Sequence, residues 1–267
     1  MSLSHPRPLL TLVCCLVLSG TPKLSEAIEW VADPSVRLGL EYNDNITLTT
    51  APHKSVSGVN MSANLDLGAR QESWDIWGGV RLTSRCFADR DDLDTDNRTA
   101  NLRYQLRTER NFWAFKGTYT DESILNQTTI DPDIGNQTTR ITTNINPSWS
   151  RSLTETTQLR IDYQYFDTEY ENGVSIGLLD YQQQGVNLTI SDQFTPRTSV
   201  YAILGYSNFE VTSPESQITT SYTNTSQTNT AQFGISYDFT ETLKGSLSGG
   251  PRKTVSETRV FQLCGFF

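Results

Sequence analysis

The sequence predicts an all-β fold: an antiparallel, up-and-down transmembrane β-barrel of about 11–12 strands. Three observations carry that expectation. Apolar and polar residues alternate in segment after segment, short and long connections alternate between the segments, and the first 27 residues have the layout of an export signal. Composition narrows the field. A mean hydropathy of −0.43 with 19% charged residues excludes a polytopic helical membrane protein, which needs several long apolar runs. Thirty-five threonines among many Asn, Ser, Gly and Tyr form a strand-and-turn vocabulary. Eleven Tyr, eleven Phe and five Trp argue against disorder, which is poor in aromatics.

The N-terminal segment comes first. Arg7 precedes the apolar run Leu9 to Leu18, and Ser25-Glu26-Ala27 puts small residues three and one before a cut after Ala27. That is the pattern of a secretory signal peptide over residues 1–27, too short to span a bilayer as a helix. Its loss removes Arg7, Lys23 and Glu26 and takes the net charge from −9 to −10. Val13 before Cys14 is a poor lipoprotein signal, so Cys14 and Cys15 read as apolar filler. Cys86 and Cys264 alone are no disulfide framework.

Residues 28–267 then read as one barrel. The alternating sets are Val36, Leu38, Leu40, Tyr42; then Val59, Met61, Ala63, Leu65, Leu67; then Trp74, Ile76, Gly78, Val80, Leu82; then Ala100, Leu102, Tyr104, Leu106. Next come Trp113, Phe115, Gly117, Tyr119, followed by Ile141, Thr143, Ile145 and by Leu159, Ile161, Tyr163, Tyr165. The series closes with Val186, Leu188, Ile190; Val200, Ala202, Leu204, Tyr206; Phe233, Ile235, Tyr237, Phe239; and Leu243, Leu247. A period of two means strands with one apolar and one polar face. Short turns are expected near Arg70–Ser73, Thr108–Asn111, Arg151–Thr154, Asp192–Arg197 and Thr240–Leu243. Long polar loops are expected near Asn43–Ser57, Ala88–Asn97, Asp121–Thr139, Thr168–Asp180 and Glu210–Asn229. Sorting connections by length onto opposite ends is a habit of outer-membrane barrels, not of sandwiches or propellers.

Aromatic placement agrees. Trp74, Trp113 and Trp149 lie beside short turns, and Tyr42, Tyr119, Tyr165 and Tyr206 lie toward the long loops. Rings at both ends of an apolar band suit the two interfaces of a membrane. A membrane barrel turns its apolar face to lipid and its polar face to the lumen, the reverse of a soluble barrel. Alternation alone does not choose between them, but the signal segment, aromatic ends and loop asymmetry favour the membrane case.

The stretch Pro34-Ser35-Val36-Arg37-Leu38-Gly39-Leu40-Glu41-Tyr42-Asn43-Asp44-Asn45-Ile46 resembles the opening strand and loop of the β-barrel porin 2 family. From Trp30 to Gly250 the chain is similar to that family in style, with Thr/Asn-rich hairpins and Arg near short turns. The resemblance implies a Gram-negative outer-membrane porin, often linked to exopolysaccharide export or exosortase-type gene clusters, and it brings no catalytic residues. The chain is shorter than such relatives. Residues 251–267 read either as a twelfth strand, with Phe261, Leu263, Gly265 and Phe267 on one face, or as a truncated or non-native tail.

Candidate sites are few. His53, the one histidine after the signal, sits in a loop without partners for a triad or a metal. No phosphate-cradling loop or CxxC occurs, and the expectation is that the chain is not an enzyme and holds no cofactor or metal. Asp92, Asp94 and Asp96 sketch a calcium loop, but the bending glycine is missing and Arg103 stands where the final glutamate belongs. A solvated acidic loop fits better. Seven Asn-x-Ser/Thr sequons, Asn45, Asn126 and Asn224 among them, follow from composition.

On the polar parity, Arg81, Arg85, Arg103, Arg107 and Lys116 are expected to stack as a basic ladder on the lumen wall, favouring anions. The competing reading pairs them with Glu41, Asp66, Asp75 and Asp162 to fill a narrow barrel. The partners implied are outer-membrane lipid and lipopolysaccharide, the barrel-assembly machinery, and small solutes or polysaccharide, with no nucleic acid. Two alternatives stay open: a non-conducting surface-interaction or adhesin barrel, and a secreted soluble carbohydrate-binding β-protein.

Overall fold

A computed structural model describes residues 28–45, 55–88, 90–126, 136–171, 173, 177–213, 220–240 and 242–262. Its strands are β1 (Glu29–Asn43), β2 (Val56–Arg70), β3 (Trp74–Phe87), β4 (Thr95–Arg107), β5 (Asn111–Asn126) and β6 (Asn136–Ser152). They continue with β7 (Thr157–Tyr170), β8 (Asp180–Thr195), β9 (Thr198–Ser213), β10 (Thr220–Asp238), β11 (Lys244–Gly249) and β12 (Arg252–Gln262). Each of β1 to β9 pairs antiparallel with the next, and β10 pairs with β11 and β12, which gives one up-and-down sheet. The five short turns fall where the sequence places them. Backbone bonds close them, such as Gln71 N–H to Trp74 O at 2.8 Å and Phe239 N–H to Leu243 O at 2.9 Å. His53 and Cys264 lie outside the described residues.

Strands β1 to β10 are longer than the apolar pattern suggests, from 13 residues in β4 to 19 in β10. Apolar alternation ends where lipid contact would end, but Thr and Asn keep the backbone ladder going beyond it. Tyr119, Tyr165 and Tyr206 therefore lie inside β5, β7 and β9, at the loop-side limit of the apolar run, rather than at the last residues of the strands.

The C-terminal part departs from a simple twelfth hairpin strand. β11 and β12 lie end to end on one edge of β10 in one continuous register, with Phe233 opposite Gly249 and Thr230 opposite Arg252. Gly250-Pro251 interrupts them because proline has no N–H for the ladder, although the Pro251 carbonyl still accepts from Ala231 N–H at 3.1 Å. Among the described residues no pairing joins β1 to β11 or β12.

Register puts every alternating apolar set on the same face. One row runs Trp74, Leu106, Trp113, Trp149, Ile161 from β3 to β7 as direct cross-strand partners. That face is the exposed one: Leu40, Leu204 and Phe233 are 90%, 54% and 63% accessible. Buried apolar residues are few, and Val56, Phe87 and Leu93 form a small cluster under the acidic loop. A soluble domain would hide this face.

Candidate functional site: the polar face of the sheet

The polar face is the crowded one. A methyl group added at Gly68 would come within 2.6 Å of the Trp77 ring, and one at Gly205 would come within 2.6 Å of Asn187 Oδ1. On the apolar face, one at Gly249 would meet nothing within 4 Å. Along β10 the polar-parity residues Thr228, Thr230, Gln232 and Gly234 pack closer than the exposed Phe233 and Ile235 of the other parity. Side chains crowd on the concave side of a curved sheet and splay on the convex side. The polar residues thus sit where a lumen would be.

The five basic residues share this face, but register separates them. Arg103 and Lys116 are direct cross-strand partners. Arg81 stands opposite Thr99, Arg85 opposite Thr95 and Arg107 opposite Phe112, so these three do not continue the pair into an unbroken ladder. Several are already engaged. Arg81 Nε donates to Asn64 Oδ1 at 2.8 Å, and Asn64 Nδ2 donates to Ser35 Oγ at 3.1 Å. Arg103 is 3.8 Å from Asp75, and Arg107 lies over the Phe112 ring at 5.6 Å. Asp162, expected as a filler of the interior, is bound by Arg160 two residues away at 2.6 Å. Arg140 and Glu122, cross-strand partners on β6 and β5, form a further ion pair that the sequence did not single out.

The aromatic residues on the apolar face split into two levels. Trp113 and Trp149 pack with ring centroids 5.6 Å apart at the turn side. Tyr42, Tyr119 and Tyr206 stand exposed toward the other end. On β2 the apolar run from Val59 to Leu67 covers about 27 Å of strand, and on β9 Val200 to Tyr206 covers about 20 Å. Exposed Leu153, Phe194, Phe239 and Leu243 extend the shorter side at the turns. In the acidic loop, Asp94 Oδ1 accepts from Phe87 N–H at 2.8 Å, so that carboxylate holds the loop against β3.

Sequence reading passed over three rings on the polar parity: Phe166 on β7, Tyr181 on β8 and Phe209 on β9. Their centroids are 5.8 and 6.0 Å apart in succession. An aromatic out of phase with the apolar set, repeated on consecutive strands, is the signal that could have found them.

Together these features define an all-β antiparallel up-and-down sheet with its apolar face outward and its polar face inward. No family model matches the chain, and no curated protein does. Among solved structures it is similar to a loop-deletion mutant of OmpT, an outer membrane protein of Vibrio cholerae, at 9% identity over 88% of this chain and 99% of that one, with a TM-score of 0.42. Two monoaromatic hydrocarbon channels also match: a TodX mutant (11% identity, 87% of this chain and 88% of that one, TM-score 0.25) and CymD (11%, 90% of each, 0.23).

One expectation is corrected here. The sequence reading that the chain is not an enzyme is withdrawn, because it rested on the absence of a linear motif. The physical reason is general: sites on a sheet assemble from single residues on separate strands, so a missing linear motif excludes nothing.

Proposed function

We propose that this chain is an outer-membrane β-barrel, exported through residues 1–27, whose polar face lines a lumen: a porin-like passive channel or an accessory barrel of exopolysaccharide export. The observation that carries this reading is the register, which gathers the apolar set of every strand onto one exposed face and leaves the polar set crowded on the other. In water such a face would cost about 25 cal/mol for each Å2 left uncovered, whereas lipid covers it. The resemblance of Pro34 to Ile46 to the β-barrel porin 2 family supports the export link. β1 and β11–β12 run in the same direction, so a barrel closed between them has a parallel seam, as in odd-stranded barrels.

The crowding weighs against the soluble carbohydrate-binding alternative, because that fold needs its apolar face packed inside. A non-conducting barrel keeps one specific support: the Arg81–Asn64–Ser35 chain ties up polar groups that an open pore would hydrate. Reconstitution in planar bilayers separates the two. A channel gives stepwise current that favours anions, from protein that migrates faster unboiled than boiled on SDS gels. Heat-modifiable protein that carries no current contradicts the channel.

A further inference from the structure

Phe166, Tyr181 and Phe209 stand on three adjacent strands of the polar face, near the ends of β7, β8 and β9 that lead into long loops. Successive rings are tilted by 30° and 44°, and Phe209 stays 38% accessible. Some other aromatics on this face fill space above glycines, as Trp77 does over Gly68 and Tyr201 over Gly234, and Phe112 packs against Arg107. Among the described residues these three cover no glycine. With Val211 opposite Tyr181 they form a half-exposed apolar strip beside polar residues such as Gln183 and Ser226, and an apolar strip open to solvent among polar groups points to a ligand.

The surroundings specify which ligand. Gln183 is the direct cross-strand partner of both Phe166 and Phe209, so an exposed amide lies between the two rings. Ser226 stands opposite Phe209 on β10. Thr168, opposite Tyr181, is fully buried with its hydroxyl unpartnered. The polar parity of β8 from Tyr181 to Asn187, of β9 from Ser207 to Val211, and of β10 from Asn224 to Thr230 carries no charged residue. A sugar ring offers apolar C–H faces and a rim of hydroxyls, which suits rings interleaved with amide and hydroxyl groups. The ring spacing is comparable to the advance per residue of an extended glycan. An anion would find no cation on these stretches, and a plain hydrocarbon would leave the amide and hydroxyls without partners.

We infer that the Phe166–Tyr181–Phe209 strip is a stacking platform for an uncharged oligosaccharide segment at the loop-side mouth of the polar face. The inference rests on the barrel reading for its place in a lumen, but the contact chemistry is its own.

The test uses the full chain, folded in detergent and checked for its heat shift. Saturation-transfer NMR is run with cellohexaose, maltohexaose and, as an anionic control, hexagalacturonate. Transfer to the C–H protons of a neutral hexasaccharide is the expected result, with affinity falling about tenfold in Phe166→Leu and in Phe209→Leu. Leucine keeps apolar bulk on the strand but removes the ring face, so a purely structural role predicts no change in affinity. Tyr181→Phe, which keeps the ring, should retain most of the binding. No transfer to either neutral sugar from folded protein, binding of hexagalacturonate alone, or unchanged affinity in both leucine variants would each overturn the inference. Current across bilayers without sugar transfer removes the platform and leaves the channel. Sugar transfer without current keeps the platform and removes the channel.

Discussion

Trp113 on β5 and Trp149 on β6 are direct cross-strand partners, with ring centroids 5.6 Å apart and planes inclined by 39°. They sit in a row that includes Trp74 and Leu106 at the turn side of the exposed apolar face. A tilted pair of this kind is worth about 0.5–1.5 kcal/mol beyond the area it covers. A double-mutant cycle with Trp113→Ala and Trp149→Ala, read by urea unfolding from lipid vesicles, should return a coupling of that size. Additive losses would mean that the two rings do not meet.

Close packing of the polar face makes a second expectation. Gly205→Val puts methyl groups against Thr230 and Asn187 and should destabilise the folded form by about 1–3 kcal/mol. Gly249→Val projects into open space on the other face and should be neutral. The temperature at which the fast-migrating unboiled band disappears checks both. Equal effects at the two sites would contradict the assignment of inner and outer faces.

Charge on the polar face should register in ion selectivity. Arg103 and Lys116 are the one adjacent pair among the five basic residues, and of the two only Arg103 has an acidic neighbour, Asp75, among the described residues. Arg103→Glu with Lys116→Glu should move the reversal potential in a KCl gradient from the anion side toward the cation side. Arg85→Glu, well away from the pair along the strands, should move it less.

Arg160 and Asp162 make their ion pair two residues apart on one strand, so breaking it should affect one strand locally. Half-exposed pairs contribute little, about 0–1 kcal/mol. Asp162→Asn should leave the heat-shift temperature nearly unchanged. A large drop would show that Asp162 supports other interior groups.

Much of the fold was readable because period two survives in strand after strand. Val59 to Leu67 and Phe233 to Phe239 announce both strand and face without any partner in view. Register is a different matter. Nothing in the spacing of Arg81, Arg85, Arg103, Arg107 and Lys116 says which residues stand opposite one another, because pairing depends on turn length and on bulges such as that between Asp192 and Thr195. The ends of the strands were hidden because Thr and Asn serve equally in loops and in a hydrated ladder. β12 was expected beside β11, whereas Gly250-Pro251 interrupts the ladder without turning the chain back. The strip of Phe166, Tyr181 and Phe209 was obscured by its polar parity, next to Tyr165, which follows the apolar one.

If the apolar face meets lipid and the polar face does not, Trp113 and Trp77 report it directly, since they lie on opposite faces of the same sheet. Two variants, each keeping one of these tryptophans and replacing the other four by Phe, would be folded into vesicles made with brominated lipid. Strong quenching of Trp113 by bromine and little quenching of Trp77 is the expected result, with the order reversed for a water-soluble quencher. Trp77 quenched by lipid and Trp113 spared would contradict it and turn the sheet inside out.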